Sequence, residues 1–169
     1  MIIGGIAVIA HGVARTTRDV DATMATVRDV GLVFTDLARF ELHPRIDDAI
    51  PFARTRQVLL LRHAPSGVDV DLSLAWLPFE LDALAAAEDM LLGSVEVTVA
   101  RAEDLVIYKA VAWRPQDQTD VERLVALHGR SMDFARIRRV VAEFAEALED
   151  SQRVVEVERV LERALGLVR

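Results

Sequence analysis

The chain has 169 residues, 52% of them hydrophobic, no cysteine and a formal net charge of −7. That size and apolar content suit one domain, or one domain with a small appended subdomain, while the missing cysteine excludes disulfides, thiolate metal sites and cysteine nucleophiles. No segment approaches the ~18 consecutive apolar residues of a membrane span, and the acidic balance argues against a protein whose main task is holding nucleic-acid phosphates.

The first fourteen residues are apolar but lack the basic start and long apolar stretch of a signal peptide, so a cytoplasmic location is expected. Ile2 to Ile3 reads as a short buried strand, Gly4-Gly5 as a turn, and Ile6 to Val13 as a helix ended near Gly12. Residues 15 to 23 alternate, with Arg15, Thr17, Asp19 and Asp21 on one side, which predicts a strand with a polar face. Val27, Val30, Phe34, Leu37 and Ala38 recur at helical spacing and predict a helix over residues 25 to 41. His43 to Arg56 is the least regular stretch. "VLLLRHAPSGVDVDLSLAWLP" predicts a hairpin with strands near 57 to 63 and 68 to 76 about a Pro-Ser-Gly turn. A helix from about Phe79 to Leu92, ended by Gly93, leads to the alternating run "VEVTVA". From Glu103 onward the pattern is helical, with Glu103 and Asp104 at a favourable helix start and Gly129 closing one segment. Two amphipathic stripes follow, Phe134, Ile137, Val140, Val141 and Phe144, then Val154, Val157, Leu161, Ala164 and Val168. The expected fold class is α+β: a small mixed β-sheet core with flanking helices over residues 1–101, and a helical C-terminal subdomain over residues 102–169 packed on it.

Side chains alternate across a strand, so Asp19 and Asp21 project from one face, close enough to share a divalent ion. Two carboxylates that close repel unless a cation lies between them or one is protonated. A third carboxylate from the hairpin, Asp69 or Asp71, would complete a hard all-oxygen site of the kind Mg²⁺ prefers. Gly4-Gly5 lies at a strand-to-helix junction, where backbone N–H groups can approach phosphate oxygens. Together these features describe a site for a triphosphate with its metal and a displacement at phosphorus. Taken singly, a Gly-Gly pair is usually a turn and a D-x-D an exposed or salt-bridged edge. His11, His43, His63 and His128 show no metal-ligand spacing. The "ARIRRVVAEF" helix could belong to a helix-turn-helix, but the acidic residues just beyond it favour a solvated face. Lys109 is the single lysine among 20 basic residues, a compact charge that arginine does not reproduce.

These residues resemble a known family. "GGIAVIAHGVARTTRDVD" is similar to the first motif of the DNA polymerase β superfamily of nucleotidyltransferases, in the form found in AbiEii-like abortive-infection toxins and related minimal bacterial nucleotidyltransferases. "VDLSLAWLPFE" resembles the strand with the third carboxylate, and "AEDLVIYKAVAWRPQDQTDVERLV" the helical motif with a Lys, an Arg-x-x-Asp and a further Asp. The likeness spans about residues 2 to 128. It implies that Asp19, Asp21 and Asp71 bind Mg²⁺ (or Mn²⁺) and serve catalysis, with Asp71 fitting better than Asp69 and lying nearest the acceptor hydroxyl. It implies that Gly4 and Gly5, with Arg15, Thr17, Lys109 and Arg114, hold the NTP, and that Arg114, Asp117 and Asp120 have a partly structural role, pairing with one another or with Arg15. The implied reaction moves a nucleoside monophosphate to a hydroxyl of RNA or protein, and the implied setting is a toxin with an antitoxin protein. Two departures stand out. Gly5 occupies a position where many active transferases have Ser, and the chain begins on the strand where relatives usually have a preceding helix. The second suggests a late start, or a compact version whose open face is covered by a partner, including a second copy in a homodimer. The alternative function is an inactive binding module that keeps the fold and acts through a protein partner.

Overall fold

A computed structural model describes residues 1–25 and 29–166. The expected helical positions Val27 and Val168 lie outside the described residues. The fold is α+β, with a seven-stranded mixed sheet and eight α-helices among the described residues. No helix among the described residues is long and apolar enough to cross a membrane.

The chain divides into two compact units, residues 1–6 with 16–99, and residues 7–15 with 100–169. Segment 7–15 therefore groups with the C-terminal helices rather than with the strands that flank it in sequence.

The first unit holds the whole sheet. Its strands are β1 (Ile2–Ile3), β2 (Asp19–Ala25), β3 (Leu42–Pro44), β4 (Val58–His63), β5 (Asp69–Ala75), β6 (Glu88–Leu92) and β7 (Val95–Val99), in the spatial order β3-β4-β5-β2-β1-β7-β6. β2 and β5 run parallel, as do β1 and β7, and the other neighbouring pairs are antiparallel. Helix α1 (Gly4–Ala10) begins at the end of β1. Helices α2 (Val30–Ala38), α3 (Ala49–Arg56) and α4 (Pro78–Ala85) complete the set. Val30, Val33 and Phe34 of α2 and Ala49 and Ala53 of α3 pack with Leu59, Leu61 and Leu74, while Met24, Val70 and Leu72 add partly buried contacts. These strand residues occupy alternate positions, so one face of the sheet is committed to the core and the other is left for different work.

Several expectations are corrected. Gly4-Gly5 is no separate turn: α1 starts on Gly4, whose φ of +62° only glycine adopts without strain. The strand expected over 15 to 23 starts at Asp19, where β5 first supplies a pairing partner, so Arg15 and Thr17 do not share its face with the aspartates. β2 then continues to Ala25, paired with Ala75, and α2 begins only at Val30, with the Asp29 carboxylate accepting from Gly31 N–H at 2.8 Å. The irregular stretch contains β3 and α3. The helix expected over 79 to 92 stops at Ala85. Glu88–Leu92 pairs antiparallel with β7 about Gly93, φ +65°, so local helix propensity yields to a hairpin partner.

The second unit contains the rest of α1 and helices α5 (Ala102–Ala112), α6 (Pro115–His128), α7 (Phe134–Ala147) and α8 (Ser151–Gly166). Helix α5 is buried on every side, through Leu105, Val106, Ile107 and Ala110, as befits the central helix of a bundle. The expected stripes bury Ile137, Val140 and Val141 on α7 and Val157, Leu161 and Ala164 on α8. Val154 instead stays 38% exposed.

Candidate active site

Pairing register builds the site in the first unit. Asp19 lies opposite Asp69 and Asp21 opposite Asp71 across the parallel strands β2 and β5. Registered residues on adjacent strands share a face, as do residues two apart, so the four backbone positions form a grid about 4.8 Å across and about 7 Å along the strands. The intervening Val20, Ala22, Val70 and Leu72 point to the opposite, core-facing side. Both D-x-D pairs thus belong to one polar patch.

Gly4 adjoins this patch. A Cβ built there would lie 1.9 Å from Asp21 Oδ2 and 2.6 Å from Asp21 Cγ. The Asp21 carboxylate therefore sits against backbone at the start of α1, in space that any other residue would fill. Gly5 follows and is buried.

The other three carboxylates are engaged as well. Asp19 Oδ1 accepts from the Thr17 hydroxyl at 2.7 Å. Asp69 Oδ1 accepts from Arg62 Nε at 2.7 Å, and that hydrogen bond holds the Asp69 carboxyl below the usual carboxylate range. Arg45 reaches both strand positions, with Nη2 2.8 Å from Asp71 Oδ1 and Nη1 3.6 Å from Asp69 Oδ2. The first contact is short but misaligned, so Asp71 Oδ1 is shielded from solvent yet accepts no hydrogen bond. A cavity of about 360 Å³ lined by His43, Pro44, Arg45, Arg62 and Ala64 opens on the same edge of the sheet.

Sequence reasoning missed Arg45 and Arg62. Hairpin register could have found Arg62, which lies directly opposite Asp69. Arg45 follows the three-residue β3 in a stretch with no periodicity, and nothing in the sequence marks it.

A different arrangement of charge lies in the second unit. Lys109 is 5% exposed, and its Nζ lies 3.0 Å from Asp117 Oδ1 and 3.2 Å from Asp120 Oδ2, both of these residues being fully buried. Arg15 pairs with Asp120 at 2.5 Å, and Arg114 donates to Asp117 from Nε at 2.8 Å. Asp117 also caps the start of α6 by accepting from Arg114 N–H at 2.9 Å. Burial pushes the Asp117 carboxyl up, but the hydrogen bonds from Arg114 and Lys109 outweigh it and hold the group below its ordinary value. The site residues read from sequence thus fall into two sets, Gly4, Gly5, Thr17, Asp19, Asp21 and Asp71 on one unit, Arg15, Lys109 and Arg114 on the other.

The remaining polar motifs are engaged within the second unit. Arg136 pairs with Glu103 and Asp104, Arg138 with Glu158, and Arg139 with Glu143. His11 Nε2 lies 2.8 Å from the Ala100 carbonyl, and His128 Nε2 2.8 Å from the His11 carbonyl.

The donor set of the aspartate patch is hard oxygen, which suits Mg²⁺ or Mn²⁺. Asp71 Oδ1, shielded and without a hydrogen bond, is an acceptor that a cation would satisfy. Among the described residues no three histidine or carboxylate side chains are gathered as a ready-made metal cage; Thr17 and Arg45 lie on two of the carboxylates. The ligand types suit such an ion.

A mixed sheet with paired aspartates, entered through a glycine-opened helix and accompanied by a helical unit, places the molecule in the nucleotidyltransferase class of α+β folds. Residues 1–163 match the family described as "Nucleotidyltransferase of unknown function (DUF6036)", and the chain belongs to that family. No curated protein matches the chain.

Proposed function

We propose that the protein is a Mg²⁺- or Mn²⁺-dependent nucleotidyltransferase that moves a nucleoside monophosphate from an NTP to a hydroxyl of RNA or protein. The observation that carries this reading is the register of Asp19 and Asp21 against Asp69 and Asp71 beside Gly4. Asp19, Asp21 and Asp71 would hold the cation, which neutralises charge developing on the phosphates and favours ionisation of the attacking hydroxyl. The α1 N-terminus at Gly4-Gly5 offers backbone N–H groups to phosphate oxygens. Asp71, which the family resemblance places nearest the acceptor hydroxyl, would accept its proton. The acceptor oxygen bonds to the α-phosphorus as the bond to the bridging oxygen breaks, and pyrophosphate leaves. Labelled NTPs incubated with the protein, tRNA and cell lysate test the reading: label should reach an acceptor, and transfer that survives Asp21→Ala overturns it.

The likeness of the first motif to AbiEii-like proteins supports a cytoplasmic toxin that pairs with an antitoxin protein. Growth arrest on expression, relieved by a neighbouring gene product, is the expected result. A second reading, an inactive module that acts through a protein partner or as a homodimer, is favoured by one contact, the Arg45 guanidinium on Asp71 where a cation would lie. Calorimetry separates the two, since the module shows no NTP binding up to millimolar nucleotide with Mg²⁺ present.

A further inference from the structure

Arg45 has a place in the site that neither the sequence motifs nor the family description assigns. It touches Asp71 and Asp69 at once, and its side chain is 24% exposed. Register puts it at the edge of the patch: His43 lies opposite Arg62, Arg62 opposite Asp69 and Asp69 opposite Asp19, a row crossing β3, β4, β5 and β2. In the next row Leu60 lies opposite Asp71 and Asp71 opposite Asp21, and Arg45 N–H bonds the Leu60 carbonyl. The acidic grid is thus bordered on its β4 side by the cavity that His43, Arg45 and Arg62 line.

Charge balance gives this geometry a consequence. The patch sets four aspartates beside the guanidiniums of Arg45 and Arg62, an excess of acidic side chains that favours a cation. A cation on Asp71 and Arg45 on Asp71 compete, because like charges that close repel and Arg45 already lies 2.8 Å from Asp71 Oδ1. A displaced Arg45 is left beside Arg62 and His43 with no carboxylate to itself, on the Asp71 side of the patch, where the proposed reaction would bring the α-phosphate.

We propose that Arg45 is an exchange ligand: it occupies Asp71 as an internal counter-ion in the metal-free protein, and on metal loading it passes to the phosphates of the substrate. Its guanidinium offers forked donors that suit either a carboxylate or a phosphate, so one side chain can serve both states without a change of fold. The inference rests on the metal reading given above, and the test separates the two.

The experiment is calorimetry on the full chain, wild type against Arg45→Gln, Arg45→Lys and Asp71→Asn, first with Mn²⁺ alone and then with inorganic tripolyphosphate at saturating Mn²⁺. Neither probe depends on turnover. Arg45→Gln should tighten Mn²⁺ on the order of tenfold, since it removes a positive charge in contact with a ligand oxygen at a solvated site. It should weaken tripolyphosphate several-fold, and Arg45→Lys should lie between it and wild type. Unchanged or weaker Mn²⁺ binding in Arg45→Gln, with Mn²⁺ lost in Asp71→Asn, overturns the exchange and leaves the metal reading standing. Tighter Mn²⁺ with tripolyphosphate held as in wild type also overturns it, because Arg45 would then be a plug with no second role. Mn²⁺ binding that Asp71→Asn leaves intact, or none in any variant, removes the metal reading and the exchange with it.

Discussion

The two units use the same chemistry, carboxylates against arginine or lysine, and give it opposite solvent exposure. On β2 and β5 the carboxylates are half open, with the Asp69 and Asp71 side chains 35% and 37% exposed. Around α5 and α6 the Asp117 and Asp120 residues are fully buried and the Lys109 side chain is 7% exposed. The penalty for leaving a charge unpaired rises steeply with burial. The helical network is therefore locked at its buried centre, since loss of Lys109 removes a cation from two fully buried carboxylates at once. The strand patch is open enough to exchange partners, as the proposed metal and nucleotide site would require.

The largest expected effect lies in the locked network. Lys109→Met keeps the chain length but leaves Asp117 and Asp120 without their shared cation, and breaking a buried pair in this way costs about 3–5 kcal/mol. Urea unfolding should show that loss, and a change below about 1 kcal/mol would mean that the network is as loose as a surface pair. On the strand patch the pattern reverses. Asp21→Ala should lower nucleotidyl transfer by roughly 100-fold or more and leave the unfolding midpoint little changed. A variant that loses both stability and turnover would erase the contrast between the units.

Gly4→Ala probes the boundary between these behaviours. The new methyl meets the Asp21 carboxylate, and φ is +62°, so a cost of about 1–3 kcal/mol is expected from strain and displacement. Asp21 must move to make room. Mn²⁺ affinity should therefore fall along with stability, and a stability loss with unaltered Mn²⁺ binding would separate Gly4 from the site.

This residue also shows how far sequence reading reaches. The strand face was legible because β-alternation is strict: once Asp19, Asp21, Asp69 and Asp71 are on strands, their shared side follows. The helical character after Glu103 and the stripes of α7 and α8 were legible because apolar residues at helical spacing bury one face whatever the partner, while the break between α5 and α6 was not read. Less of the chain between was legible. Residues 88–92 are helix-prone by composition and become a strand through pairing with β7, and Arg45 reaches Asp71 through a tertiary path that no spacing encodes. Lys109 stood out as the single lysine and suggested a phosphate contact, and its two buried carboxylate partners come from the next helix, a packing fact.

A pH titration sharpens the contrast from the locked side. The folded pKa of Asp117 lies below its ordinary value of 3.8. Its ionised form therefore contributes stability that is fully present above about pH 4 and is lost as the pH falls through the folded pKa. The stability difference between wild type and Asp117→Asn should hold steady from pH 7 to 5 and narrow only below about pH 4. A difference that closes already between pH 7 and 5 would assign the effect to another group.

The smallest effect is expected at an ion pair that resembles the buried ones in geometry and differs only in setting. Arg138 donates to Glu158 through Nε at 2.8 Å and Nη2 at 2.7 Å, a forked pair across α7 and α8. The hydrogen bond from Arg138 holds the Glu158 carboxyl below its ordinary value. Yet the side chains are 47% and 34% exposed, so water and salt replace most of what the pair provides. Arg138→Ala should cost about 0–1 kcal/mol, and less at high salt. Glu158→Gln should give a similar figure, and the double variant little more than either alone. If Arg138→Ala approached the cost of Lys109→Met, short distances rather than burial would govern charge in this protein, and the reason given for calling one unit locked and the other exchangeable would fail.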